Sequence, residues 1–302
     1  LIGSLYVIAG GIALVGDLNA TPRINLAFLA AGAVLANVVG TTGASMLLIR
    51  PLLRTNRDRH NKSHLPIFFI LIVSNCCGLL TPLGDPPLFL GFLRGVDFWW
   101  NLRLAPQWLV VNGYLLALFY LWDRRAYHRE TPRDRTDEQE HIHPLRLYGW
   151  RLNVPLMLAM IATVIAKKYI TVFPLCELMM LACAVVSLAL TRRSVREANH
   201  FTWTPIVEVA VLFVAIFITM IPVLVLLNEH GKDLAIAEPW QYFWLTGVFS
   251  SGLDNAPTYI AMASLAAVST NCDTLHALSL QRPDLLAAVS CGAVFMGANS
   301  YI

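Results

Sequence analysis

The chain is poor in charged residues. Asp, Glu, Lys and Arg make up 14% of its 302 residues, against roughly 25% in an ordinary globular chain. Hydrophobic residues supply 57% and the mean hydropathy is +0.60. The longest polar stretch runs only from Asp123 to Arg151, too short for a water-soluble domain. Apolar runs near the ~20 residues that cross a bilayer recur throughout. This composition predicts an all-α polytopic membrane protein.

The sequence also lacks the motifs of several functional classes. It contains no zinc-protease helix motif, nucleophile elbow or phosphate loop, so we expect neither an enzyme nor a cofactor. The net charge of +3 comes from loops beside spans, where orientation explains it, so we expect no nucleic-acid partner. Six cysteines without metal-ligand spacing are interpreted as small buried hydrophobes. His60 and His64 stand among basic residues, which favours a solvated loop over a metal site.

The two ends of the chain both lie inside apolar runs. Neither an initiator Met nor a signal peptide is present, and the last run stops at Ile302. We therefore expect a fragment of a longer transporter.

Two polar strings interrupt the apolar segments, far apart in the chain. The first occupies Gly40–Ser45 and is followed by Thr81–Pro87. The second occupies Ser250–Thr258 and is followed by Gly297–Ser300. Unwound backbone is tolerated at membrane depth only where protein or a water-filled cavity surrounds it. Matched interruptions in two halves of a chain are the best sequence indication of a transporter's binding site.

The distribution of basic residues predicts how the interrupted segments insert. If residues 24–49 and 241–268 are re-entrant hairpins, one face carries 16 of the 22 Lys and Arg residues and the other carries 6. Full crossing would instead spread the basic loops over both faces. The positive-inside rule therefore favours hairpins that enter from opposite faces. It places the basic loops in the cytoplasm, and these are 50–64, 122–151 and 191–203.

Opposed hairpins are what an inverted repeat requires. We predict a first repeat over 1–121, with hairpin 24–49 and broken transmembrane helix 66–92. A cytoplasmic loop, 122–151, leads to a second repeat over 152–302. Its hairpin is 241–268 and its broken helix 285–302, cut short by the end of the sequence. The whole chain is thus one integral membrane transporter unit.

The interruptions are rich in side chains that carry hydroxyl, amide or carboxylate oxygens. Small hard cations prefer several oxygen ligands, so these side chains are candidate ligands of Na⁺. The alternative is that the hydroxyls bond to backbone groups freed by Gly and Pro. The candidates are Asn37, Thr41, Thr42, Ser45 and Thr81 in the first half, and Ser250, Ser251, Asn255, Thr258, Asn299 and Ser300 in the second.

Asp85 and Asp254 are the sharpest candidates, because each lies at one of the symmetric interruptions. A carboxylate at membrane depth costs ~3 kcal/mol or more, which makes it a functional-site hypothesis by default. Such a carboxylate can bind a proton or a cation, and competition between the two is antiport in its simplest form. The alternative for both residues is N-capping of a half-helix.

The residues around these carboxylates resemble a known family. Thr81-Pro82-Leu83-Gly84-Asp85, Ser251-Gly252-Leu253-Asp254-Asn255 and the string from Gly40 to Ser45 resemble motifs of the NhaD-type sodium/proton antiporters. These belong to the ion-transporter superfamily, which also holds arsenite permeases and citrate and dicarboxylate transporters. The resemblance implies a scaffold domain, a mobile transport domain and a homodimer. The first hairpin lacks the Ser-Asn-Thr signature expected of the dicarboxylate branch, which weakens a citrate interpretation.

The leading hypothesis is a secondary active transporter that exchanges Na⁺ (or Li⁺) for H⁺ by alternating access. Its partners would be the lipid bilayer and small ions, and its location the bacterial inner membrane. One alternative is a cation-coupled citrate or organic-anion transporter, with half-helix N-termini holding the carboxylates. Arsenite efflux is another. A structural subunit would give no ion flux and would leave the two matched polar interruptions unexplained.

Overall fold

The computed structural model describes residues 1–16, 18–130, 146–167, 174–234 and 236–300, without the side chains of Asn228 and Ser300. The chain divides into two compact units. The first comprises Leu1–Ser74 and Tyr114–Trp203, and the second Asn75–Gly113 and Thr204–Ile302. Each unit takes residues from both predicted repeats, and the repeats themselves stay a prediction.

The first unit begins with two short elements. Helix α1 is Ile2–Ala9, and strand β1 is Ala13–Val15. The apolar run at the start of the chain is therefore helical only in its first half. Strand β1 pairs antiparallel with β2, Arg146–Tyr148, with Ala13 opposite Tyr148. A three-residue strand gives no periodic signal, and its pairing depends on a partner far along the chain.

Two longer helices follow. Helix α2 is Pro22–Val39, and Thr21 caps it by accepting a hydrogen bond from the Ile24 amide (3.4 Å). Gly40 then takes φ 81° and ψ 156°, which a residue with a side chain rarely adopts. Helix α3 begins at the next residue and runs Thr41–Thr55, packed against α2. The predicted break over 40–45 is thus confined to Gly40, and α3 extends into the predicted basic loop.

The remaining helices of the first unit are apolar or short. Helix α4 is His64–Phe69, continued by a π-helical turn, Ile70–Asn75, that reaches the unit boundary. Helix α6, Ala105–His128, crosses from the second unit to the first. After β2 come α7 (Trp150–Ala166), α8 (Leu175–Leu190) and α9 (Arg193–Ala198). Helices α1, α7 and α8 pack on one another.

The second unit carries the other interrupted segments. A 3₁₀ turn, Cys76–Leu79, precedes α5 (Pro86–Leu93), and another, Phe98–Leu104, precedes α6. Its other helices are α10 (Thr204–His230), α11 (Pro239–Gly252), α12 (Asn255–Ser269), α13 (Leu275–Gln281) and α14 (Pro283–Met296). Short 3₁₀ turns, Gly231–Leu234 and Gly297–Ser300, follow α10 and α14.

Close helix contacts hold the second unit together. Gly292 on α14 lies against the Phe243 carbonyl of α11, where an added Cβ would stand at 2.6 Å. Gly91 on α5 receives Tyr259 of α12, whose side chain is fully buried. Small residues allow such close approach between apolar helices. Residues 76–93, 239–269 and 283–296 thereby share one packed core.

Within the described residues, three helical segments are long and apolar enough to cross a membrane. They are Pro22–Val39, Phe98–His128 and Thr204–Leu227. The shorter apolar helices are His64–Leu79, Trp150–Ala166 and Leu175–Leu190. The all-α membrane class is confirmed. Insertion of 24–49 and 241–268 as re-entrant hairpins stays a prediction.

Candidate cation-binding site

The turn between Leu80 and Asp85 folds back tightly on the chain before it. Gly84 lies so close to Gly78 that a Cβ on Gly84 would stand 2.2 Å from the Gly78 carbonyl oxygen. The Thr81 carbonyl accepts from the Gly84 amide (3.1 Å), and the Thr81 hydroxyl accepts from the Leu83 amide (3.2 Å). Thr81 therefore satisfies backbone groups freed by the break, which is the alternative to its predicted role as a ligand.

Asp85 stands at the start of α5 and is 5% exposed. It occupies the N-cap position, yet its side chain makes no capping hydrogen bond. Instead, its Oδ2 accepts a hydrogen bond from Asn255 Nδ2 at 3.1 Å. Asn255 begins α12 and directly follows Asp254, whose charge acts on Asp85. The two predicted carboxylates thus lie near each other within one unit, with the Asn255 amide beside them.

Asp254 stands at the start of α12. Its Oδ1 accepts a long hydrogen bond from the Ala256 amide (3.4 Å), so the carboxylate caps the helix. Its Oδ2 is buried without a hydrogen-bond partner among the described residues. Capping therefore accounts for one oxygen of Asp254, and the second remains as an unsatisfied buried acceptor.

These carboxylates have no buried cationic partner in the described part of the second unit. The Lys and Arg residues of that unit are exposed or half-buried. A buried ionised carboxylate is costly unless it is paired or binds a cation. The cluster of Asp85, Asn255 and Asp254 (here the carboxylate cluster) therefore has the properties of a site for a mobile proton or metal cation.

Hydroxyl and amide side chains of the second interruption surround its helix ends, and most donate to carbonyls beside the break. A hydroxyl that donates its proton keeps lone pairs for a cation. The bonds are Ser250 Oγ to Ala293 O (2.8 Å), Ser251 Oγ to Gly247 O (2.8 Å) and Met296 O (3.2 Å), Thr258 Oγ1 to Asp254 O (2.9 Å), and Asn299 Nδ2 to Ser251 Oγ (3.2 Å). The side chain of Ser300, also predicted, lies outside the described part.

The candidates of the first hairpin belong to the first unit. Asn37 Nδ2 donates to the Ala33 carbonyl of its own helix (2.9 Å), and Ser45 and Ser74 share a hydroxyl hydrogen bond (2.8 Å). Thr41 is buried at the start of α3, and Thr42 is exposed. These side chains flank the break at Gly40. Their participation in ion binding stays a prediction.

A second buried polar cluster, in the first unit, was not predicted. Asp123 Oδ1 contacts Arg59 Nη1 (2.7 Å) and His64 Nε2 (2.9 Å), and Asp123 Oδ2 accepts from Asn25 Nδ2 (2.9 Å). Asn56 Oδ1 accepts from Arg59 Nη1 (3.1 Å). All five side chains are buried. We call this group the Asp123 network.

The Asp123 network corrects two predictions. Arg59 and His64 were expected in a solvated loop, but both are buried. Asp123 was placed at the start of a polar loop, but α6 continues to His128 and carries Asp123 inward. In the sequence Asp123 stands between Trp122 and Arg124, a pattern that fits a solvated loop equally well, so it gave no signal of burial.

A comparison with protein families covers the whole chain. The model of a family described as "Putative citrate transport" matches residues 1–302. That family lies in the ion-transporter superfamily expected from the motifs. No curated protein and no solved structure matches the chain. The NhaD-type assignment within the superfamily stays a prediction. The chain therefore belongs to the "Putative citrate transport" family and is an integral membrane transporter.

Proposed function

We propose that the protein is a cation-coupled secondary transporter and that the carboxylate cluster binds its coupling cation or proton. The transported solute would be citrate or a related organic anion, in keeping with the family description. The observation that carries the proposal is the buried carboxylate of Asp85, whose hydrogen-bond partner is a neutral amide. A charge in this setting needs a partner supplied from solution.

The geometry suggests how coupling would operate. A cation between Asp85 and Asp254 would neutralise two acidic groups that otherwise repel each other. Helices α5 and α12 both begin at these residues, and helix N-termini attract anions. With the acidic groups neutralised, those N-termini would favour the carboxylates of an organic anion. Solute binding would then require the cation, which is the condition for coupled transport.

A second candidate is exchange of Na⁺ (or Li⁺) for H⁺, the activity of the NhaD-type antiporters. One observation favours it: the described part of the second unit has no buried Lys or Arg to hold a polyanion. The same carboxylates would then carry Na⁺ in one direction and H⁺ in the other. Arsenite efflux is supported only by superfamily membership.

The distribution of Lys and Arg also supports an orientation in the membrane. We infer that residues 50–64, 122–151 and 191–203 face the cytoplasm of a bacterial inner membrane, since they carry most of the Lys and Arg. Residues 24–49 and 241–268 would then enter as opposed re-entrant hairpins. Residues 131–145 of the second loop lie outside the described part of the chain.

Proteoliposomes distinguish the two candidate activities. We expect radiolabelled citrate to accumulate when an inward Na⁺ or proton gradient is imposed, and not without a gradient. A pH-sensitive dye trapped in the same vesicles reports Na⁺-driven proton movement in the absence of citrate. Proton movement with no citrate uptake would contradict the organic-anion proposal and support Na⁺/H⁺ exchange. In that case everted vesicles carrying Asp254→Asn should lose Na⁺-dependent proton release.

A further inference from the structure

The second unit contains an apolar groove that the proposed transport site does not use. Its volume is about 730 Å³, and it lies between the beginnings of α6 and α11 and the length of α14. The lining is almost entirely apolar, with Gln107 and Asp284 as its polar members. Val110 and Trp240 on its walls are 71% and 63% exposed. The groove is therefore open along a surface that includes α6, which belongs to one of the three described segments long and apolar enough to cross a membrane.

The groove has one polar end and one apolar end. Helices α6, α11 and α14 begin at Ala105, Pro239 and Pro283. Gln107 and Asp284 fall in the first turns of α6 and α14, beside these starting points, together with Trp240. Trp is enriched at the level of lipid headgroups. The wall of α14 continues along Ala287, Ala288, Cys291 and Phe295, without a charged residue.

The length of the groove matches one leaflet of a bilayer. Asp284 and Phe295 are separated by about 16 Å along a helix that rises 1.5 Å per residue. Half of the ~30 Å hydrocarbon core is ~15 Å. An acyl chain that starts at the polar end would therefore extend to Phe295, which would lie at the level of the bilayer midplane.

The charges at the polar end define the headgroup. Arg282 donates from Nε and Nη2 to the two carboxylate oxygens of Asp284 (3.0 and 2.8 Å). Glu238 acts on the same guanidinium electrostatically. Arg103 stands two residues before α6 and is exposed, so two cations and two carboxylates lie beside these helix starts. A headgroup with a phosphate and an ammonium is complementary to both signs, whereas a purely anionic headgroup offers no cation to the carboxylates.

We propose that this groove binds one zwitterionic phospholipid of the phosphatidylethanolamine class. Its acyl chain lies along α14, its phosphate faces Arg282, and its ammonium faces Asp284 and Glu238. The acyl chain of the bound lipid ends at Phe295. Gly297 follows two residues later and lies against Asn255, since a Cβ added to Gly297 would be 3.4 Å from Cβ of Asn255. The lipid therefore touches the helix end that packs against the carboxylate cluster.

Native mass spectrometry of the delipidated full chain tests this proposal. We expect one phosphatidylethanolamine bound per chain, and weaker binding of phosphatidylglycerol. Ala288→Trp fills the groove and should reduce lipid binding by at least about tenfold, the effect of roughly two buried methylene groups. Val211→Trp, at an exposed position of α10 outside the groove, is the matched control and should bind lipid as the unmodified chain does.

Asp284→Asn gives a second test at a residue of the rim that is not buried in the core. The ratio of the affinity for phosphatidylethanolamine to that for phosphatidylglycerol should fall by about threefold, because one exposed charge contact is lost. Equal lipid binding by Ala288→Trp and the control would overturn the proposal. So would stronger binding of phosphatidylglycerol, or a dimer that Ala288→Trp dissociates, since the groove would then be an interface between copies.

Discussion

Asp85 and Asp123 are both buried carboxylates with different surroundings. Asp123 contacts the Arg59 guanidinium at 2.7 Å, so its charge is neutralised by a fixed partner. Asp85 instead accepts a hydrogen bond from the neutral Asn255 amide and has no ion-pair partner among the described residues. A paired carboxylate holds helices together, whereas an unpaired one is available to a mobile ion. This contrast separates the structural acid of the first unit from the candidate binding site of the second.

Asp123→Asn should destabilise the protein. The substitution leaves Arg59 buried without its counter-charge, and breaking a buried ion pair costs about 3–5 kcal/mol. We expect a clear fall in the thermal unfolding temperature in detergent, followed by tryptophan fluorescence. Asp58→Asn is the control, because Asp58 and its partner Arg57 are largely exposed. Equal unfolding temperatures for the two variants would show that the network contributes nothing.

The sequence predicted some of these residues and not others for a physical reason. Asp85 and Asp254 stand inside apolar segments with Gly and Pro nearby, so the sequence marked both as candidates. Asp123 follows Trp122 and precedes Arg124 and Arg125, a pattern that also fits a solvated loop. Only its tertiary neighbours, Arg59 and His64, make it internal. Local sequence does not contain that information.

At the scale of elements, the turn before α5 determines where Asp85 lies. Gly78 and Gly84 are in backbone contact across this turn, and neither position has room for a side chain. The turn also keeps the start of α5 against α12. The carboxylate cluster depends on this close approach, because Asn255 reaches Asp85 from α12.

Gly84→Ala should impair transport although it adds one methyl group. The new Cβ would stand 2.2 Å from the Gly78 carbonyl oxygen, so the backbone of the turn must move and Asp85 with it. We expect the half-saturating cation concentration to rise about tenfold, corresponding to ~1.4 kcal/mol of lost binding. Gly113→Ala on α6 has open space around its Cβ and is the matched control. Unchanged transport by Gly84→Ala would mean that the turn does not position the site.

Composition overestimated the length of the breaks in the interrupted segments. Polar composition marked residues 40–45, but only Gly40 leaves the helical conformation, because Thr41 to Ser45 form the first turns of α3. Hydroxyl residues tolerate the start of a helix, so composition alone overestimates such a break. In the second segment, helix is lost only at Leu253 and Asp254.

At the scale of the whole molecule, the distribution of Lys and Arg is the basis for orientation. The proposed topology places the loop of Asp58 in the cytoplasm and the turn of Lys232 outside. Full crossing by residues 24–49 and 241–268 would change which loops share a face. Side-specific labelling at positions on both sides of residues 241–268 therefore tests that hairpin as well as the orientation.

Single cysteines in a cysteine-free background provide this test. Lys232→Cys should react with a membrane-impermeant maleimide added to intact cells, because Lys232 is exposed on the proposed outer face. Asp58→Cys, also exposed in the structure, should react only after the membrane is permeabilised. Asp273→Cys, exposed on the other side of residues 241–268, should react from outside as Lys232→Cys does. Its protection in intact cells would contradict the hairpin, because full crossing of 241–268 places Lys232 and Asp273 on opposite faces.

Asp85 and Asp254 are proposed to bind the coupling cation or proton. Solute uptake into proteoliposomes under an imposed Na⁺ or proton gradient tests this role most directly, with Asp85→Asn, Asp254→Asn and the exposed control Asp273→Asn. The unmodified protein and Asp273→Asn should respond to the gradient. Each cluster variant should need at least about tenfold more cation, or lose the response, since one charge-assisted contact is worth roughly 1.5–3 kcal/mol. Gradient-driven uptake that is unchanged in both cluster variants would contradict the claim.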